Sequence, residues 1–419
     1  MGDKMKFLSL KRPFLLIALI NFLGFGLLSL YDGQVNTRIL LIGLIITFVF
    51  WLSYMIMSHM SLYDVYIFLI VCMLYSVGEI MLLRIEIAYG ERQFLWLIIS
   101  LAVFFFVYFA VMKLNIWEKL GYLYYGLAVI LFIITLIFGT VSGGAKNWII
   151  IKGMSIQPSE IIKLLIIFTM ADRYAHPEKY RFRNMNEDVV LSILVYSVLG
   201  FLVIQTEWGT AVLIFAVHIT MMYIYSGKFK VMLGNVGFAL IGGGLGVKFV
   251  THLQQRIDVW LDPWSDIAGK GYQITQSLFA ISSGGFFGTG IGLGSPEYIP
   301  KVHSDFIFSA ICEEFGVLGG VGIIMLYFIL VYRGIRIAMQ IENLFYKCVA
   351  SGISIMFGYQ TFIILGGVTK LIPLTGITLP FISYGGSSLV ISFIAIAFLE
   401  ASANKLNSVE KGAKVIEKE

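Results

Sequence analysis

The side chains able to do chemistry in this sequence are few, and they gather in four stretches. The densest is His303-Ser304-Asp305-Phe306-Ile307-Phe308, followed by Glu313-Glu314. Asp305 stands where a glycine-rich polar loop meets a long apolar run. A carboxylate there can take a proton from a hydroxyl once burial raises its pKa. The plainer reading of the same residue is an interfacial helix N-cap. Glu313 and Glu314 follow about two turns deeper, one placed to face a bundle interior and the other to cap a cavity.

The second stretch is Gln157-Pro158-Ser159-Glu160-Ile161-Ile162-Lys163. Proline and an early glutamate suit the start of a helix. Glu160 and Lys163, three apart, share a helix face and can pair. An ionisable pair at membrane depth marks function by default, although such pairs also serve only to set packing. The third stretch, Gln205-Thr206-Glu207-Trp208-Gly209-Thr210-Ala211, reads as a tight turn between antiparallel spans. Glu207 reads first as a helix cap there and second as a site carboxylate, and Gly209 lets backbones approach closely. The fourth runs from Pro373 to Ser388, PLTGITLPFISYGGSS, where two prolines and three glycines exclude a regular span. Non-helical backbone near a membrane is tolerated only when buried in protein or lining a cavity. The N–H groups of Gly385 and Gly386, with the hydroxyls of Ser387 and Ser388, can hold phosphate oxygens. A re-entrant packing loop is the alternative; Lys370 on the same side favours the anion.

These residues need elements to hold them, and the composition says which. Of 419 residues, 58% are hydrophobic and 13% charged, against about 45–50% apolar and about 25% charged in soluble domains. A soluble enzyme, a disordered chain and a nucleic-acid module are excluded, and no nucleic-acid partner is expected. The apolar runs are continuous rather than alternating, which excludes a β-barrel. Twelve runs suit membrane helices: 13–30, 39–57, 62–82, 93–112, 120–139, 160–172, 188–204, 208–225, 232–249, 306–332, 347–366 and 386–401. With both termini in the cytoplasm, nearly two thirds of the 30 Lys and Arg residues fall on the inside, as the positive-inside rule requires. The basic N-terminal stretch and first span read as an uncleaved anchor. The largest polar stretch, 250–305, faces outside and is rich in Gly, Trp and Tyr, which predicts a folded loop; residues 402–419 form a charged tail. The three cysteines and five histidines show no metal-ligand spacing.

The motifs GAKNW at 144–148, QPSEIIK at 157–163, QTEWGTA at 205–211, GYQITQSLFAISSGG at 271–285, HSDFIFSAICEEFG at 303–316 and PLTGITLPFISYGGSS at 373–388 together resemble the SEDS family (shape, elongation, division and sporulation proteins, the RodA/FtsW/SpoVE group). The resemblance covers about residues 62 to 401. It implies an all-α polytopic membrane protein: a ten-helix catalytic core over 62–401, a two-helix N-terminal extension in 1–61 and a cytoplasmic tail in 402–419. It implies a glycosyltransferase that polymerises lipid II at the outer face of the cytoplasmic membrane, beside a class B penicillin-binding protein and among membrane lipids. A lipid II flippase and a non-catalytic scaffold for the transpeptidase are the alternatives.

On that resemblance Asp305 is the general base. Glu160, Lys163, Glu207, His303, Ser387 and Ser388 are expected at the substrate, and Lys370, Lys301, Lys152 and Arg256 near its diphosphate. A divalent cation, Mg or Mn, would find oxygen ligands in Asp305 or Glu207, though no ligand cluster demands one. Three stretches depart from the family pattern. Thr206 and Glu207 replace Pro and Asp, Asn147 replaces Arg, and Ile364 and Lys370 replace an Asn and a Gly.

Overall fold

A computed structural model describes residues 2–416 apart from 32, 34, 60–63, 143–144, 152–153 and 182–184; the side chains of 2–12, 142, 151, 154 and 405–416 also lie outside the description. Lys152 therefore lies outside the described residues. Helices α1 (Gly2–Ser29) and α2 (Thr37–His59) form a hairpin against α3 (Val65–Ile85). Then come α4 (Ile87–Lys113), α5 (Gly121–Phe138), α6 (Pro158–Ala175), α7 (Glu187–Ile204), α8 (Trp208–Tyr225) and α9 (Phe229–Phe249). Two shorter helices, α10 (Thr251–Leu261) and α11 (Tyr272–Ser283), fold the long polar stretch, and α12 (Ile307–Gln340), α13 (Leu344–Val368) and α14 (Gly386–Ile416) complete the chain.

Each of the twelve apolar runs coincides, over its described residues, with one of these helices apart from a residue or two at the ends. Ten of the described helices are long and apolar enough to cross a membrane. The exceptions are α1, whose apolar part is only Pro13–Ser29, and α6, whose 18 residues carry Glu160, Lys163, Asp172 and Arg173. Those four side chains are buried. Lipid tails give helices no hydrophobic reason to associate, so the distribution of burial tells which helices belong inside. The span windows of α3, α13 and α14 are 83% buried and that of α9 only 6%. The first three form the centre, and α9 lies on the rim.

Two features differ from the sequence expectation. Residues 140–156 hold an antiparallel sheet in the order β1 (Thr140–Ser142), β2 (Ala145–Ile151), β3 (Met154–Ile156). The outer strands have three residues each, too few for an alternation pattern to register. The run 306–332 is not one straight helix either: α12 breaks at Gly316, whose φ is 69°. The Glu313 and Glu314 carbonyls accept from the Thr289 and Gly290 amides at 2.9 and 3.0 Å, and the Val317 amide donates to the Gly285 carbonyl at 3.0 Å. The loop after α11 thus takes hydrogen bonds that an unbroken helix would keep for itself.

Candidate active site

The organising element is the non-helical segment 369–385 between α13 and α14. Pro373 and Pro380 have no N–H to give a helix ladder, and Gly376 sits at φ +71°. With its own ladder absent, the segment bonds to its neighbours. On α10, Arg256 Nη1 donates to the Leu374 and Thr375 carbonyls at 3.1 and 2.9 Å. On α13, Gln360 Nε2 donates to the Thr378 carbonyl at 2.9 Å. On α4, Gln93 donates to the Ser383 carbonyl at 3.2 Å and accepts from the Gly385 amide at 3.3 Å. At the start of α8 a Cβ on Gly209 would lie 2.8 Å from Ile377 and 2.9 Å from Thr375, so only glycine lets the helix come this near.

The same segment holds the HSD triplet. Tyr384 N donates to the His303 carbonyl at 2.8 Å and Ser383 Oγ to the Ser304 carbonyl at 2.6 Å. Asp305 is half-buried and opens α12 without capping it: the cap position is Phe306. A Cβ built on Gly376 would stand 3.6 Å from Asp305 Oδ2 and 3.8 Å from Arg256 Nη2, so carboxylate and guanidinium flank one glycine. Asp305 makes no ion pair within 4.0 Å among the described residues. Burial raises its pKa, opposed in turn by Lys301, the Ser304 hydroxyl, Arg256 and His303. The His303 ring stacks on Tyr89 at 4.4 Å and meets Tyr384 edge-on at 5.8 Å. Burial lowers its pKa despite Asp305 and Glu86 nearby, so the neutral imidazole prevails near pH 7.

Glu160 and Lys163 do pair, at 2.9 Å and both buried, and Lys163 Nζ continues to Gln360 Oε1 at 3.2 Å. Through Gln360 the ion pair reaches the Thr378 carbonyl. Glu207 occupies the N-cap position of α8 but makes no side-chain cap bond. The capping reading is corrected: its carboxylate accepts from Asn147 on β2 and from Gln157 Nε2, the latter at 2.7 Å, and burial raises its pKa. The sheet missing from the sequence reading is what delivers Asn147. Ser387 Oγ accepts from the Gln157 amide at 3.4 Å, and Ser388 bonds Thr378 Oγ1 at 2.8 Å.

Lys370 is placed differently from expectation. Its left-handed backbone, φ 62°, starts the segment, its ammonium donates to the Leu261 carbonyl at 3.4 Å, and its own carbonyl accepts from Trp260 Nε1 at 3.2 Å. These contacts turn it to α10, whereas Ser387 and Ser388 contact Gln157 and Thr378. Lys301 is exposed and also left-handed, φ 54°. Neither Glu313 nor Glu314 caps a cavity: both are buried and accept loop amides, from Ser295 at 3.0 Å and Gly292 at 2.9 Å. The non-glycine residues with positive φ among those described are Thr206, Lys301, Lys370 and Phe381. All four lie in the loops just described, as strained backbone tends to at functional sites. No three His, Cys, Asp or Glu side chains gather as a metal site among the described residues.

Sequence reasoning missed Gln93, Gln360 and Tyr89. The signal was present for the first two, since a lone glutamine in an apolar span is costly unless it has a partner.

Comparison with known proteins adds a family. The FtsW/RodA/SpoVE family model, described as "Cell cycle protein", matches residues 54–407. The peptidoglycan glycosyltransferase RodA of Mycobacterium tuberculosis is 34% identical over 359 residues, 79% of this chain and 76% of its own. Stage V sporulation protein E of Bacillus subtilis is 35% identical over 321 residues, 74% of this chain and 86% of its own. The crystal structure of the Thermus thermophilus rod shape determining protein RodA matches with TM-score 0.61 at 25% identity, covering 82% of this chain and 97% of that one. A chain of a peptidoglycan synthase complex that coordinates polymerization and crosslinking shares the fold, with TM-score 0.68 at 24% identity over 82% of this chain and 98% of its own.

Proposed function

We infer the function from the premise that this chain belongs to the FtsW/RodA/SpoVE family. It is a peptidoglycan glycosyltransferase and a multi-pass membrane protein. Helices α3–α9 and α12–α14 are its ten-helix core, and α1–α2 are an addition. The substrates are two molecules of lipid II, each a disaccharide on a polyprenyl diphosphate. Asp305 takes the proton from the 4-hydroxyl of the acceptor sugar, the freed oxygen forms a bond to C1 of the donor, and the polyprenyl diphosphate departs with the bonding electrons. The name of the Mycobacterium tuberculosis relative, a peptidoglycan glycosyltransferase, favours this reading over a flippase or a scaffold.

The single observation that carries the mechanism is the pairing of Asp305 and Arg256 across Gly376. A base works best with a pKa near the working pH, and burial moves Asp305 that way. Arg256 spends Nη1 on two carbonyls and places Nη2 beside the same glycine as Asp305, where it can meet the charge that develops on the leaving diphosphate. Neither Asp305 nor Glu207 belongs to a group of three His, Cys, Asp or Glu side chains that could hold a metal among the described residues, and no step is assigned to one. The excess of basic residues on the sequence-predicted cytoplasmic side supports both termini inside and the site outside. Likeness to a chain of a synthase complex supports a class B penicillin-binding protein as partner.

The test is polymerisation by purified full-length protein from lipid II, with and without the transpeptidase. Asp305→Asn keeps shape but cannot accept the proton, so glycan strands should fall by at least about 10²-fold, the lower end of what a general base contributes. Strand synthesis by that variant near the wild-type rate would refute the assignment.

A further inference from the structure

We propose that the α1–α2 hairpin positions the active-site loop, and that Tyr31 at its turn is the residue through which it does so. The inference rests on Asp305 being the base. Tyr31 lies just beyond α1, outside the ten-helix core, yet it touches residues deep in that core's site-end loop. Its ring lies 4.9 Å from the guanidinium carbon of Arg84, at the end of α3. The same ring rests on Gly292: a Cβ there would be 2.4 Å from the Tyr31 ring edge.

Arg84 and Gly292 are already joined. Arg84 Nη2 donates to the Gly292 and Gly294 carbonyls at 2.8 and 3.1 Å, and its Nε pairs with Glu314 at 3.2 Å. Glu314 in turn accepts from the Gly292 amide and Glu313 from the Ser295 amide. Tyr31 is thus the lid of a clamp whose jaws are Arg84 and the two glutamates, and whose load is the loop 292–295.

What the clamp holds is tied to the base without slack. From Ser295 onward the chain closes one turn after another: Tyr298 N to Ser295 O at 3.2 Å, Ile299 N to Pro296 O at 3.1 Å, Val302 N to Ile299 O at 3.2 Å, and Asp305 N to Lys301 O at 3.2 Å. Pro296, Ile299 and Val302 are buried. A shift at Gly292 therefore passes along the turns to Asp305. Tyr31 uses its face and ring edge in these contacts, which makes phenylalanine the conservative replacement.

The experiment uses full-length protein in detergent. Hydrogen exchange of the peptide carrying Gly292 and Ser295 is compared in wild type, Tyr31→Leu and Tyr31→Phe, with α13 as the internal reference. Polymerisation kinetics on lipid II are measured on the same samples. Tyr31→Leu should speed exchange at that peptide while α13 is unchanged. It should also lower kcat about tenfold with KM nearly constant, within the loss that about 1 Å of misplacement at the chemistry can cause. Tyr31→Phe should restore both. Exchange that is unchanged at 292–295, or that rises equally in α13, would overturn the clamp. Faster loop exchange with unaltered kcat would overturn the positioning role. Asp305→Asn runs alongside: if it polymerises normally while Tyr31→Leu still loosens the loop, the base assignment has failed and the clamp contact has not.

Discussion

Breaking the Glu160–Lys163 pair should damage the protein more than removing it. The charges are 2.9 Å apart with side chains 8% and 4% exposed. At an effective dielectric of about 20, that separation gives roughly 6 kcal/mol of attraction. Taking each ion out of water costs several kcal/mol, so the intact pair adds little net stability. Lys163→Met removes the attraction and leaves the cost of the buried Glu160 charge, a loss of about 3–5 kcal/mol. At roughly 2 °C per kcal/mol for a large chain, the melting temperature should fall about 6–10 °C. Adding Glu160→Gln replaces the stranded carboxylate with a neutral amide and should recover more than half of that. The assay is thermal unfolding of detergent-purified protein at one scan rate, followed by tryptophan fluorescence. A second readout follows from Gln360, which accepts from Lys163 and holds the Thr378 carbonyl. The rescued double variant should fold and still polymerise poorly, because the anchor of the 369–385 segment has lost its own partner. Equal melting temperatures for the Lys163→Met and double variants would refute the coupling. Full activity in the double variant would make the pair purely structural.

Asp305 couples activity to stability. Its folded pKa lies above the unfolded one, so its ionised form costs stability in full above the folded value, and that cost fades as pH falls through the folded value and is gone below the unfolded one. Asp305→Asn should therefore melt higher than wild type at neutral pH and lose the advantage in acid, while wild-type kcat falls as pH drops through the raised pKa; an Asn variant less stable at pH 7 would contradict this. Gly209→Ala should cost about 1–3 kcal/mol through overpacking against Thr375 and Ile377, and polymerisation should drop with it; a variant with wild-type melting would show that the segment yields freely. Lys370→Gly should raise stability by about 0.5–1 kcal/mol in denaturation, because glycine relieves the left-handed backbone and gives back part of the gain as unfolded-state entropy.

Most of the bundle was legible because apolar run length alone dictates membrane helices. Helix α6 was legible for another reason: Pro158 and Glu160 mark its start, while its charges weaken the hydropathy signal. The break at Gly316 was not legible, since it depends on Thr289 and Gly290, which come near only after the loop folds. The position of Asp305, at the junction of a glycine-rich loop and α12, was legible from the sequence. Arg256 was legible as a cation but not as the residue that grips two carbonyls. Lys370 was read by charge and side; its backbone conformation, invisible in sequence, sends it to Leu261 instead. The glutamines carry no charge to mark them in the sequence, yet Gln93 and Gln360 fasten the segment through their neutral amides.

That choice of fasteners has a consequence for how the enzyme meets its surroundings. Among the side chains that grip segment 369–385 from neighbouring elements are Gln93, Gln360 and Arg256. None of them changes charge between about pH 5 and 9, and the bonds of the two glutamines, made between neutral groups, are little weakened by salt. Their direct bonds to the segment therefore persist over a range of acidity and salinity. These fasteners do not themselves titrate, so a pH–rate profile of the wild type should read the proton on Asp305, the proposed base, and not a titration of Gln93, Gln360 or Arg256.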